Sequence, residues 1–377
     1  MIVVDVEPNG HTALGCHIYA GGHTLGVRQA GFDVPIHLEE GPFGVETAVK
    51  NLGVEVRVGR SVRAASAVCA APDRVSAGLD LSSWRAHEFR GCVDWLYGNP
   101  PCAAFSTLGV GARVRGEASD YVRCTERLFA LIDVVEPTVF SWECVTGALT
   151  AGRAFVERMI ASVHALGYDV HGVVLDAADC GLPSHRRRFF FVASKVEVAF
   201  ERPAAPRTTP RGAWAAMAAR GFPIGEGRAS GNEVKLVASM PPGWGRVRDH
   251  AIKIGSKLRP FASRRRLGFD ELAPTIAGGP DYYHPTEPRY LTVREQQVLA
   301  GYPPEYEFIG SIHQRYAQIG KAVTPPAARW LGGQVARALD AGVKVGLKRR
   351  SVFWDFLHER PAVSTDKRVG WWREVGR

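Results

Sequence analysis

Short apolar runs rich in β-branched and aromatic residues alternate with amphipathic helical patterns through the first half of the chain. That rhythm confines it to an α/β fold, a doubly wound sheet with helices on both faces. Residues 92–98 (CVDWLYG), 138–144 (TVFSWEC), 169–175 (DVHGVVL) and 187–193 (RRFFFVA) read as strands. Between them, Leu128, Phe129, Leu131, Ile132 and Val135 mark one helix by their 3–4 spacing, and Phe155, Val156, Met159, Ile160 and Val163 mark another. From about 194 to 268 the periodicity fades into Pro, Gly, Arg and small residues, which predicts an irregular inserted domain. Order returns after Pro274. Thr292-x-x-Glu295 is a capping box opening a helix to about Ala300, and Pro325-Pro326 starts another that carries Trp330, Leu331, Val335 and Leu339 on one side.

The formal net charge of +9 favours a polyanionic partner. Its distribution is uneven: Arg246, Arg248, Lys253, Lys257, Arg259, Arg264, Arg265 and Arg266 crowd between Gly245 and Arg266, almost without acids, a density suited to phosphate contacts. No stretch approaches the roughly 18 uncharged apolar residues that a membrane span needs, and the N-terminal MIVVDVEPNG carries acids where a signal peptide carries a basic flank. A cytoplasmic protein without membrane contact is expected. The 7 cysteines are scattered singly, with no CxxC pair, so neither a disulfide framework nor a metal site is expected. Cys16, Cys69, Cys92, Cys124 and Cys180 read as small buried hydrophobes.

Cys102 reads differently. Gly98-Asn99-Pro100-Pro101-Cys102-Ala103-Ala104-Phe105-Ser106 follows a predicted strand, which puts Cys102 on a stiff loop at the carboxyl edge of the sheet, where open α/β sheets place their ligands. Two prolines fix the backbone, and a thiol held in a preset direction is what a nucleophile needs. Some forty residues on, Ser141-Trp142-Glu143-Cys144-Val145 ends the next strand with a carboxyl group. Cys180-Gly181-Leu182-Pro183-Ser184-His185-Arg186-Arg187-Arg188 then precedes a strand of aromatics, and strand alternation sends Arg186 and Arg188 to the same side.

In order and spacing this set resembles the cytosine-5 DNA methyltransferases, over roughly residues 15–340. GNPPCAAFSTLG is similar to that family's Pro-Cys loop, ECV to its Glu-Asn-Val motif, and ADCGLPSHRRRFFFVAS to its Gln-x-Arg-x-Arg motif, with Ser184 in place of the glutamine. APTI (Ala273 to Ile276), HPTEPRYLTVREQQVLAGYP and QIGKAVTPP resemble the C-terminal motifs, and MPPGWGRVRDH (Met240 to His250) a segment leading toward the DNA cleft. The resemblance implies a Rossmann-like S-adenosylmethionine-dependent methyltransferase sheet with a small target-recognition domain. It also implies double-stranded DNA as partner, a flipped cytosine, attack by Cys102, an acid at Glu143, a cation at Arg188 and a supporting Arg186.

For the donor, Tyr19-Ala20-Gly21-Gly22 resembles the family's glycine loop, although it is about two residues short and has His17 where an aspartate is common. Glycines let the backbone approach a cofactor closely. Glu39 is the candidate for the ribose hydroxyls with Glu40 its rival, Asp80 a candidate adenine contact, and Pro100, Lys321 and Ala322 complete the donor set. Lys321 stands where the family usually carries asparagine, beside a donor that already holds a positive sulfonium. Either Lys321 turns outward or pairs with an acid, leaving ordinary methylation, or the donor carries a carboxylate on its transferable carbon. That second donor is carboxy-S-adenosylmethionine, and its product 5-carboxymethylcytosine.

The expected organisation is a catalytic part at 1–193, a target-recognition domain at 194–268, a returning catalytic part at 269–341 and a tail at 342–377, acting as a monomer in a bacterial or phage-infected cell. Phosphate contacts are expected from Arg246, Arg248, Arg264, Arg265 and Arg266. Two other readings stand beside this one: a tRNA cytosine-5 methyltransferase of the same superfamily, and an inactive relative that only binds DNA. The inserted region, rich in arginine and glycine, favours duplex DNA read through the major groove.

Overall fold

The computed structural model describes residues 6–59, 84–105, 120–223, 233–241, 243, 245–258, 260–261, 263–346 and 373–375. They form two compact units, one built from Met1–Asp176, Arg187–Pro203 and Ala327–Arg377, the other from Ala177–Arg186 and Ala204–Pro326.

The first unit is organised by a mixed sheet. Its strands are β1 (Ala13–Cys16), β2 (Ile36–Glu39), β3 (Glu55–Val58), β4 (Trp95–Gly98), β5 (Val139–Cys144), β6 (Asp169–Asp176), β7 (Arg187–Ser194) and β11 (Arg373–Val375), in the spatial order β11-β6-β7-β5-β4-β1-β2-β3. Strands β1 to β5 pair in parallel, while β7 runs antiparallel between β5 and β6. Parallel pairing demands crossovers, and helices α1 (Gly22–Arg28), α2 (Val45–Leu52), α3 (Asp120–Val135) and α4 (Arg153–Ala165) supply them.

Alternation along the strands divides the core between two faces. Phe140, Trp142, Phe189 and Phe191 pack with Leu128, Phe129 and Ile132 of α3 and with Phe155 and Ile160 of α4. On the other face, Trp95 and Tyr97 meet His23 of α1, and Gly332 of α10 (Pro325–Ala341) lies against Ala30 and Trp95. Helices therefore cover both faces, and the strands are apolar on both sides, as a buried sheet requires.

The second unit holds α5 (Pro210–Ala219), α6 (Val234–Ala238), α7 (Val247–Lys253), α8 (Val293–Leu299) and α9 (Ile312–Lys321). A small sheet of β8 (Gly245–Arg246), β9 (Arg265–Arg266) and β10 (Tyr282–Tyr283) lies among them. Leu236, Val237, Met240, Val247, Ala251 and Tyr283 form a separate small core there. The capping box at Thr292 and Glu295 is formed in both directions, and Glu295 also takes a bidentate contact from Arg289.

Several expectations change. The compact units divide at 176/177, 186/187, 203/204 and 326/327; residues 195–197 bond the chain after α10 through Val196–Lys344 and Glu197–Val343, and so stay with the sheet. The inserted region is also less irregular than its composition implies, for α5 is a regular helix with Thr209 as N-cap, Pro210 in its first turn, and Ala213, Trp214 and Met217 buried. Of the cysteines read as buried, Cys16 and Cys124 are, Cys180 is half-buried, Cys92 is exposed in the turn before β4, and Cys69 lies outside the described residues. No helix among the described residues is long and apolar enough to cross a membrane.

Candidate active site

Strand order places the site. The chain runs from β1 outward to β2 and β3 on one side, then returns to β4 and β5 on the other, so a crevice opens at the carboxyl ends of β1 and β4. Cys16 pairs with Gly98 across that crevice, and the Asn99 N–H donates to the Cys16 carbonyl at 3.3 Å. The glycine loop and the Pro-Cys loop thus leave the sheet from neighbouring residues. Gly98 has to be glycine: a Cβ there would lie 2.8 Å from the Cys16 carbonyl oxygen and from Leu128.

Beyond Gly98, Asn99 and Pro100 are buried, and Cys102 is half-buried ahead of the 3-10 turn Ala103–Phe105. Phe105 anchors that turn edge-on to Trp142 of β5. Its carbonyl oxygen sits where a Cβ on Gly147 would be, 1.9 Å away, so the Cys102 loop is clamped onto the turn that follows β5.

Glu143, nearly fully buried on β5, forms an ion pair with Arg188 on β7, Oε1 to Nε 2.9 Å. The antiparallel β5–β7 pairing brings these two together from 45 residues apart, since Glu143 registers with Phe190. Arg186 has another task. In the second unit its guanidinium donates to the carbonyls of Ile276 (3.1 Å), Gly320 (2.8 Å) and Ala322 (2.7 Å), tying the Ala273–Ile276 segment to the end of α9. Ser184, in the glutamine's place, donates to the Leu299 carbonyl at 2.8 Å.

The loop after β1 contains strained backbone. His17 (φ 55°) and Tyr19 (φ 54°) adopt the left-handed conformation, as does Gly21 (φ 86°), the N-cap of α1. Glu39 holds this turn, its Oε1 accepting the N–H groups of Ile18 (2.5 Å) and Tyr19 (3.0 Å). Burial pushes the Glu39 carboxyl up to about 8, against the opposing pull of those two donors. Glu40 turns the other way. It accepts two bonds of 2.7 Å from Arg127 and one from the Cys124 thiol, with His17 3.5 Å distant. Burial alone would raise Glu40, yet His17 and Arg127 outweigh it and hold the carboxyl below its usual range.

Sequence reading missed Arg127 and Cys124, because nothing in a solvated-looking helix announces a partner more than 80 residues away. It also missed the buried chain between α1, β2 and β4, where the Thr24 hydroxyl meets His37 and Tyr97 at 2.6 Å each. Asp80 lies outside the described residues. Lys321 and Ala322 belong to the second unit, with Lys321 half-buried as the last residue of α9.

The family model for C-5 cytosine-specific DNA methylase matches residues 18–216 and 211–337. The chain belongs to that family. Type II methyltransferase M.XorII of Xanthomonas oryzae pv. oryzae is 28% identical to this methyltransferase, with 85% of this chain and 83% of the relative covered. M.PspPI of a Psychrobacter species is 27% identical over 86% of this chain and 79% of its own. Among solved structures, a candidate DNA modification methyltransferase encoded within an Escherichia coli prophage superposes with a TM-score of 0.64 at 19% identity, covering 88% of this chain and 100% of that one. The Entamoeba histolytica methyltransferase EhMeth gives 0.58 at 13%, over 87% and 98%. These likenesses show the fold, a methyltransferase α/β sheet.

The arginines assigned to DNA separate into two groups. Arg246 and Arg248 are exposed around the start of α7. Arg266 is a correction: it is buried, and its guanidinium donates to the carbonyls of Val237, Met240 and Pro285, so it holds the second unit's core and leaves the phosphate set. Arg264, half-buried, pairs with Glu233 and lies over Phe261 and Tyr290. Arg265, half-buried on β9, has its N–H bonded to the Asp281 carbonyl.

Proposed function

We propose that this methyltransferase modifies a cytosine flipped out of duplex DNA through a covalent bond between Cys102 Sγ and cytosine C6. The observation that carries the reading is the Glu143–Arg188 pair, 2.9 Å apart, on strands β5 and β7 beside the strand that delivers Cys102. Cytosine C5 is too weak a nucleophile to attack an electrophilic methyl unaided. Addition of a thiolate at C6 moves electron density onto C5, and the charge that accumulates on N3 and O2 calls for an acid and a cation. Glu143 supplies the proton to N3 and Arg188 faces O2, while Arg186 organises the backbone of its own unit. After transfer, solvent takes the C5 proton, the C5–H electron pair re-forms the C5–C6 double bond, the C6–S bond breaks and Cys102 leaves as its thiolate, while N3 returns its proton to Glu143. Flipping is required because a stacked ring exposes neither face.

The residues around the β1 turn fit S-adenosylmethionine: a strained glycine loop and a carboxylate at the end of β2 meet at the crevice between β1 and β4. Glu39 is the group for the ribose hydroxyls, and Tyr19, Ala20, Gly21, Gly22 and Pro100 line the approach. When bound, this donor supplies the methyl group as an electrophilic sulfonium. Nucleoside mass spectrometry on DNA from cells expressing the protein tests the whole reading. The expected product is 5-methylcytosine, and unmodified DNA would end it.

Lys321 leaves a second donor to weigh. As the last residue of α9 it occupies a helix C-terminus, where a cation is stabilised by the backbone dipole, and this supports ordinary methylation. Carboxy-S-adenosylmethionine would instead gain a charge-assisted contact, worth about ten- to a hundredfold in donor preference. Competition between the two donors on one DNA is expected to give methyl transfer only, for wild type and for Lys321→Asn. A preference for the carboxylated donor that Lys321→Asn abolishes would reverse this choice.

For DNA contact, the exposed Arg246 and Arg248, with Lys253 and Lys257, are the phosphate-binding set. Arg246→Ala with Arg248→Ala should weaken binding to all duplexes alike and lower the slope of log affinity against log salt by about 2, since each lost phosphate contact releases about one counterion fewer. Titrations at several salt concentrations measure this, and an unchanged slope would remove both residues from the interface.

A further inference from the structure

Glu40, the first residue past β2, turns from the backbone that Glu39 holds yet stays against the first side chain of the loop after β1. Its Oε1 and Oε2 each accept from Arg127 of α3 at 2.7 Å, Oε2 also accepts from the Cys124 thiol at 3.1 Å, and Oε1 lies 3.5 Å from His17 Nε2. Arg127 Nη2 meets the Cys124 sulfur at 3.3 Å, which closes the cluster on α3. Trp84 packs edge-on to the His17 ring at 5.9 Å, and its Nε1 donates to the Glu39 carbonyl at 3.0 Å. Water is nearly shut out: the side chains of His17, Glu40 and Arg127 are 2%, 8% and 13% exposed.

Buried charges are costly unless they balance, and here they do. Arg127 offsets Glu40, burial favours the neutral imidazole of His17, and Glu39, pushed up to about 8, is largely protonated near neutrality. His17, with φ 55°, is also the first of the left-handed residues that shape the loop, so the anchoring of its side chain bears on the whole turn.

We propose that Glu40 and Arg127 are positioning residues for the donor: the carboxylate, fixed by α3, seats His17 and through it the loop from Tyr19 to Gly22. The chain thereby draws from the end of β2 an acid that the family commonly carries at position 17 itself. This rests on the reading that the loop takes S-adenosylmethionine. A specific consequence follows from the charge balance. Aspartate at position 17 would set a second carboxylate near Glu40 with Arg127 alone to offset both, so the family's own residue should be harmful here. Asparagine has the same shape without the charge, and both residues accept a left-handed backbone, so the two substitutions differ in charge alone.

Calorimetric titration of the DNA-free protein with S-adenosylmethionine reads the loop without any turnover. His17→Asp should weaken donor binding by at least about tenfold, and His17→Asn by no more than about threefold. Glu40→Gln, which removes the acid that offsets Arg127, should also cost about tenfold. Combining His17→Asp with Glu40→Gln returns the cluster to balance and should bind within about threefold of wild type. Equal losses for aspartate and asparagine, or a double variant that shows the product of the single losses, would overturn the proposal. If a thermal melt shows His17→Asp alone to be unfolded, the charge-balanced double variant and His17→Asn decide, and a loss beyond about threefold in either overturns it. Wild-type protein that takes up no S-adenosylmethionine would instead overturn the donor site itself, a failure visible before any variant is compared.

Discussion

Cys102→Ala is expected to lose methyl transfer by at least about 10^4-fold while binding duplex DNA as wild type does. The two effects separate because the thiol is half-buried on a loop whose conformation is set elsewhere: by Pro100 and Pro101, by the Phe105–Trp142 contact, and by the seating of the Phe105 carbonyl on Gly147. Removing Sγ leaves all of these in place. No neighbouring group can substitute, since Cys144 is sealed in the core and its thiol is held protonated. Wild type should also form a denaturation-resistant complex with DNA containing 5-fluorocytosine, because fluorine on C5 blocks the elimination that would release Cys102. Gel analysis after denaturation reads the complex, and its presence in Cys102→Ala would show that another residue makes the bond.

The residues proposed as nucleophile, acid and paired cation stood out in the sequence because each is tied to a strand end, and strand ends are marked by periodicity and by proline or glycine. Four strands and two helices predicted from apolar spacing are present close to the expected bounds. The donor side was partly legible. Glu39 and Glu40 are adjacent and chemically identical, and only a partner more than 80 residues away, Arg127, decides that Glu40 turns from the loop while Glu39 holds it. Charge density misled for a similar reason. Arg264, Arg265 and Arg266 form a single basic run, yet pairing between β8 and β9 buries Arg266, and Glu233 claims Arg264. Sequence shows where charge is concentrated, and the chain's own carbonyls and carboxylates decide how much remains for DNA. The tail was legible least: Arg373–Val375 adds an edge strand to β6, a role without any alternation to announce it.

Glu143→Gln should slow single-turnover methyl transfer by about 10²- to 10⁴-fold, the usual worth of a positioned general acid, with DNA affinity little changed. Glutamine keeps the side chain's length and shape, and the β5–β7 pairing is made by backbone, so that pairing and the seating of Trp142 in the core are preserved. What it loses is a proton that can be passed to N3 as Cys102 adds to C6. Arg188 answers the same build-up of charge at O2, next to N3 on the same edge of the ring, so the two residues stabilise one transition state. Their losses should therefore overlap: Glu143→Gln combined with Arg188→Ala should fall well short of the product of the single effects. Rapid-quench measurement of methyl groups incorporated by excess enzyme isolates the chemical step. If the double variant shows the full product, Glu143 and Arg188 act independently, and the ion pair between them serves the fold and not the reaction.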